Sequence, residues 1–414
     1  MRFAAAAASL LVLGCAPQST QPPPAPDRQD PCRLMVGADS RLDTVTVALL
    51  EPVDLRSLDN ARSPTNDSER ILFRNLFQSL VRLDCQQFLR PGLAESWTAD
   101  SGGQVWTFTL RDGSSSQQGR LVTVEQIVAG LTGPAGKALG IDSAVVLDQR
   151  HLRVSLRRRD STPSLLADPS IAVLPDKASA GKGAGGRISI PPMDGGSVVD
   201  FHVQPNADAR DALDQGADLV VTRDPALVEY ARGQPEFTTF PLPWSRTYLL
   251  LQPAGSASLD IGMSPSERQS LAEDAVRADA RVAQPPFWWS ELAECPLSAI
   301  PGSSATSSRV VYTQGDEVAR ELAERLVALA KPGTGLRTEA VRLPEFIELL
   351  QSGAERAYVV AVPHRTLARC HDATTLPAGA RMKPLIDTRA YAIVRKGAPA
   401  LSVDWDGALR IAEP

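Results

Sequence analysis

From residue 44 to the C terminus, short apolar runs of strand length alternate with stretches whose apolar residues recur at helical spacing. That alternation predicts an α/β protein with open mixed sheets covered by helices. Strand patterns occupy residues 44–50, 104–110, 151–156, 198–203, 217–222, 310–312, 358–362 and 391–394, and residues 403–409 look like a hairpin. Residues 248–251 form a brief apolar run suited to a hinge or crossing strand. A helix capped by Asn66 or Asp67 carries Ile71, Leu72, Asn75, Leu76 and Ser79 on one face. Thr123 and Gln126 form a capping box for a second, because each side chain can satisfy an orphan N–H of the other's turn. Further helices are predicted over 208–215, 264–280 and 316–330. With 414 residues, 43% of them hydrophobic, the chain is long enough for two or three domains with real cores.

The charge balance, 43 basic against 48 acidic residues, gives −5 and does not suggest a phosphate-binding surface, so no nucleic-acid partner is expected. The string Gly181-Lys182-Gly183-Ala184-Gly185-Gly186 fits a dinucleotide fingerprint only as letters. The neighbouring Ile188-Ser189-Ile190-Pro191-Pro192 does not open the helix such a site needs. The four histidines, His151, His202, His364 and His371, are scattered, and no serine sits in a nucleophile elbow. No Cys-x-x-Cys or His-x-x-x-His spacing appears, and His364 with Cys370-His371 is a poor match to a metal site. No enzyme activity, cofactor or metal is predicted.

Arg2 and the apolar run from Phe3 to Leu13 make a signal-peptide pattern, too short at about 11 residues for a membrane span of about 20. Val12-Leu13-Gly14-Cys15 resembles the lipobox of bacterial lipoproteins, which implies cleavage before Cys15 and acylation of its sulfur and new amino group. An ordinary secretory peptide with a chance cysteine is the alternative. Residues 16–31 contain six prolines and no apolar periodicity, so they read as an extended tether of roughly 50 Å. Setting Cys15 aside leaves Cys32, Cys85, Cys295 and Cys370, an even number that suits an oxidising compartment. Three connectivities are open. Cys32–Cys85 with Cys295–Cys370 is favoured, since each pair lies within one half of the chain.

One stretch is more specific. Leu76-Phe77-Gln78-Ser79-Leu80-Val81 leads into Pro91-Gly92-Leu93-Ala94-Glu95-Ser96-Trp97, then Thr107-Phe108-Thr109-Leu110-Arg111-Asp112-Gly113 and Leu121-Val122-Thr123. In order and spacing this resembles the family 5 extracellular solute-binding proteins of ABC transporters, which bind oligopeptides, dipeptides and nickel complexes. Weaker echoes occur at Ala212-Leu213-Asp214-Gln215-Gly216-Ala217-Asp218 and Ser245-Arg246-Thr247-Tyr248. The resemblance implies a two-lobed, type II periplasmic-binding-protein-like fold with hinge strands. It implies a first lobe over 32–248, a shortened second lobe over 249–380 and a return over 381–414, behind a signal peptide at 1–15 and a tether at 16–31. It also implies a small-molecule or peptide ligand, an ABC permease as partner and a monomer, while the lipobox resemblance implies anchoring to the bilayer through acylated Cys15 on the extracytoplasmic side of the cell envelope.

The same resemblance places Trp244, Arg246 and Tyr248 at the hinge and cleft, where an Arg fork suits a carboxylate. Trp244 and Tyr248 as core residues, with Arg246 in a surface pair, is the competing reading. Arg62 and Ser63 fall where the family lines its pocket, and Trp288 and Trp289 either stack on ligand or pack. The family's Gly-Thr-Gly-Pro-Tyr turn is replaced by Gly183-Ala184-Gly185-Gly186-Arg187, and the second lobe is short. These departures keep a second class open, a degenerate scaffold acting as an envelope interaction lipoprotein without transport.

Overall fold

The computed structural model describes residues 30–36, 42–54, 64–111, 122–159, 162–174, 186–190, 197–205, 207–252, 266, 270, 309–330, 335–352, 356–363 and 381–411. In chain order the first elements are β1 (Arg33–Leu34), β2 (Thr44–Leu49), α1 (Asp67–Leu76), β3 (Val81–Leu83), β4 (Leu89–Pro91), β5 (Ala94–Ala99) and β6 (Val105–Leu110). Next come α2 (Val124–Thr132), α3 (Pro134–Leu139), β7 (Ile141–Val146), β8 (His151–Leu156), β9 (Arg187–Ile190) and β10 (Val198–Val203). They are followed by α4 (Ala209–Asp214), β11 (Leu219–Thr222), α5 (Pro225–Arg232), β12 (Phe237–Gln252) and β13 (Arg309–Thr313). The last are α6 (Glu317–Leu329), β14 (Arg337–Val341), α7 (Leu343–Gln351), β15 (Ala357–Pro363), β16 (Arg381–Arg395), β17 (Leu401–Val403) and β18 (Leu409–Ile411). Among the described residues no helix is long and apolar enough to cross a membrane.

Nine strands form one mixed sheet in the order β14-β13-β15-β12-β16-β11-β2-β10-β9. Its two ends have separate cores. At one end Val45, Val47 and Leu49 of β2 point toward α1, while Ala48 packs with Leu213 of α4 and Leu227 of α5 on the opposite face. The strand alternates Thr44-Val45-Thr46-Val47 where only one face is buried and turns wholly apolar at Ala48-Leu49, where both faces are covered. At the other end Tyr248 and Leu250 of β12 meet Leu322 and Leu326 of α6, and Leu249 and Leu251 meet Phe346 and Leu350 of α7.

A separate four-stranded antiparallel sheet, β5-β6-β8-β7, carries the most recognisable stretch of sequence. Trp106, Phe108 and Leu110 of β6 fill its core with Leu152 and Val154 of β8 and Ile127 and Leu131 of α2. The capping box at Thr123 is present, its hydroxyl accepting from Gln126 N while Gln126 Oε1 accepts from Thr123 N. Gly92, before β5, lies so close to the Ser79 carbonyl that a Cβ would collide with it, which accounts for glycine there.

The predicted strands and capped helices that fall on described residues are present, and residues 264–280, apart from 266 and 270, and most of the Gly-rich loop lie outside them. Two segments differ in extent. Residues 248–251 and 391–394 belong to strands of 16 and 15 residues, β12 and β16. Apolar patterning stops short of these lengths because Pro241, Pro243, Arg246 and Arg389 interrupt it, and Pro241 sits at a register irregularity where a missing N–H is tolerated. The α5, β14 and α7 segments were not anticipated. For α5 a signal was present: Asp224 caps it and Pro225 opens it.

Candidate functional site

β12 and β16 run antiparallel along their length, from the α1 side of the sheet to the α6 side. The change of surroundings falls between Leu242, packed in the α1 core, and Tyr248, packed in the α6 core. Pairing is irregular across this interval, with shifts between Pro241 and Trp244, between Trp244 and Arg246, and again after Tyr248. The polar residues that sequence patterning could not place converge here.

Arg223, just beyond β11, is the hub. Its Nε donates to Asp67 Oδ2 at 2.6 Å and its second terminal nitrogen to Asp67 Oδ1 at 3.1 Å. The guanidinium also donates to Ser245 Oγ at 2.8 Å and to Thr388 Oγ1 at 3.2 Å. One planar fork therefore joins α1, β12 and β16, a geometry that Lys does not offer. Asp67 is further paired with Arg70. Burial alone would raise the Asp67 pKa, but Arg223, Arg70 and Arg246 hold it well below the usual carboxylate range.

Two more carboxylates surround the crossing. Glu51 Oε2 accepts from the first backbone amides of α1, Asp67 N at 2.6 Å and Ser68 N at 3.1 Å. Burial, and then its neighbour Asp67, push the Glu51 pKa up. From the other half, Asp316 caps α6 through Ala319 N and accepts from the Tyr248 hydroxyl at 2.9 Å. Burial and the Asp316 charge raise the Tyr248 pKa, so the phenol stays a donor. Half-buried Arg246 stands amid these groups. Burial works to lower its pKa, yet Tyr248, Asp67, Glu51 and Asp316 together keep it above its ordinary value, so it is a permanent cation reached by carboxylates of both halves. On β16, opposite Trp244 in register, the Arg389 guanidinium lies over the Trp244 ring at 4.6 Å and near Tyr391 at 5.5 Å.

Of the residues picked out from sequence, Trp244, Arg246 and Tyr248 thus come together at the crossing. Trp244 and Arg246 are half-buried, and Tyr248 is 1% exposed with its ring in the α6 core and its hydroxyl on Asp316. Cys15, Arg62, Ser63, Trp288, Trp289, Cys295 and Cys370 lie outside the described residues. Cys32 and Cys85 are joined by a disulfide that ties β1 to the turn after β3. Arg223, Glu51, Asp316 and Arg389 were missed, and Asp67 was read only as a helix cap. No local signal marks them, since Arg223 and Asp67 are 156 residues apart. Among the described residues no group of three or more His, Cys, Asp or Glu side chains is placed to hold a metal ion.

This is the two-lobed, type II mixed α/β architecture of periplasmic binding proteins. Solved structures make the likeness specific: the chain has the fold of the family 5 solute-binding proteins. NikA from Brucella suis in complex with Fe(III)-EDTA matches with a TM-score of 0.63 at 14% identity, over 89% of this chain and 100% of that one. A dipeptide-binding protein from Pseudoalteromonas sp. SM9913 in complex with Met-Leu matches with a TM-score of 0.59 at 12% identity, over 88% and 98%. OppA from Haemophilus influenzae in complex with RPPGFSPFR matches with a TM-score of 0.59 at 13% identity, over 91% and 100%. No protein-family model matches the sequence, and no curated protein does.

Proposed function

We propose that this chain is the lipid-anchored, extracytoplasmic solute-binding component of an ABC importer, and that it captures a small ligand by closing two lobes. The lobes take in residues 32–248 and 249–380, with 381–414 returning to the first, and Cys15 carries the lipid. Short peptides and metal chelates are the first ligand classes to test, because the structures of like fold hold such molecules. The observation that carries the reading is the pair of long strands passing between two separately cored halves, with a half-buried arginine and stacked aromatic at the passage. A ligand touching both halves favours the closed form by its differential contacts alone. The closed form then docks on a membrane permease as a monomer, and no bond is made or broken.

A second reading has one observation in its favour. Glu51, Asp67 and Asp316 are each already engaged by the protein's own amides, arginines or phenol. A scaffold whose charges are satisfied internally suits an envelope interaction lipoprotein that no longer transports. Thermal unfolding of the mature protein against peptides, nickel and iron chelates and opines separates the two. A true ligand at 100 times its dissociation constant adds about 2.7 kcal/mol of stability. No shift with any compound favours the interaction lipoprotein.

A further inference from the structure

We infer that Arg223 is the pivot of the molecule, a positioning residue that holds both long strands against α1 and so sets how far the two halves swing. The inference rests on the proposed closing of two lobes and adds the residue that governs it. Three features carry it. First, the partners of Arg223 belong to three elements, and each is buried: Asp67 on α1, Ser245 on β12 and Thr388 on β16. Second, Ser245 and Thr388 lie inside the stretch where β12–β16 pairing loses its regular register, so side chains supply a fixed point that the backbone ladder does not. Third, the grip ends there. Within the same strand, Tyr248 is held by Asp316 of the opposite half, so successive parts of β12 are fastened to different bodies. Thr388 Oγ1 also lies 3.5 Å from the Arg246 carbonyl oxygen, which links the pivot to the strand segment that presents Arg246.

The test uses the full chain with bio-orthogonal dyes at two exposed positions, Asp211 on α4 and Ala328 on α6, and reads the spread of single-molecule distances without ligand. Ser245→Ala with Thr388→Val removes the strand contacts and leaves the Arg223–Asp67 ion pair, so the fold keeps its buried charge pairing. The spread is expected to widen at least about twofold in this variant, since the restraint on the two-state balance is gone. Arg223→Lys, which keeps the charge and loses the fork, is expected to fall between it and the wild type. A merely structural role lowers the melting temperature and leaves the spread alone. Folded variants with the wild-type spread would overturn the inference. A wider spread in a protein that no screened compound stabilises supports the pivot while removing the transport reading.

Discussion

The four-stranded unit and the seam between α1 and the C-terminal hairpin are both buried, and they are held by opposite means. The unit is dry: Trp106, Phe108, Leu110, Ile127, Leu152 and Val154 pack with little exposure. The seam is ionic. Arg74 donates to Asp406 at 3.0 Å, and Arg410 pairs with Asp404 at 3.1 Å and donates to the Arg74 carbonyl at 2.9 Å. Asn75 joins the two sides as well, donating to Leu409 O at 2.8 Å and accepting from Ile411 N at 2.9 Å. Apolar packing tolerates small errors of geometry, whereas a buried ion pair is favourable only with every partner in place. The difference teaches that α1, which carries Asp67, Arg70 and Arg74 on one side, is fixed by charge where it borders the crossing and by apolar contacts through Ile71, Leu72 and Phe73.

Five substitutions sharpen that contrast. Phe108→Ala is expected to cost the most, about 4 kcal/mol in chemical denaturation, because the dry unit cannot collapse around the cavity. Arg74→Met strands Asp406 without its main cation and is expected to cost about 3 kcal/mol. Adding Asp406→Leu should recover most of that loss, a rescue no apolar pair in the dry unit would show. If the double variant stays as unstable as the single one, the seam is not held by charge.

Acid sensitivity is the next test. Burial would raise the Asp406 pKa, but Arg74 and Arg70 hold it below the usual range, as Arg223 does for Asp67. A carboxylate depressed in the folded state stabilises above its unfolded value near pH 4, and the gain is lost as pH falls through the folded value. Glu51, shifted upward, opposes this only in part. Asp406→Asn is therefore expected to cost less than Arg74→Met at neutral pH and to flatten the decline of stability below about pH 4. An unchanged acid profile would remove Asp406 from the account. The smallest effect belongs to Thr123→Ala, which loses one helix cap of the dry unit and is expected to cost about 1 kcal/mol at every pH.

The same contrast explains what was legible in the sequence. The unit is built from contacts close along the chain, so alternation at Trp106, Phe108 and Leu110 and the Thr123–Gln126 box announce it. The strand at Thr44–Leu49 and the helix cap at Asn66 are legible for the same reason. The seam pairs Arg74 with Asp406 across 332 residues, and nothing near either residue points to the other. At the crossing, patterning found Trp244, Arg246 and Tyr248 with the help of a family resemblance, but the hub Arg223 follows a strand like any surface arginine. Long strands interrupted by proline and arginine also hide their length from any hydrophobic pattern.

The central claim is that two halves, joined through residues 242–248, close on a solute. Small-angle X-ray scattering of the mature protein, alone and saturated with a compound from the thermal screen, tests it most directly. The account predicts a smaller radius of gyration and a narrower distance distribution in the saturated sample. Superimposable curves with a compound that demonstrably binds would contradict it.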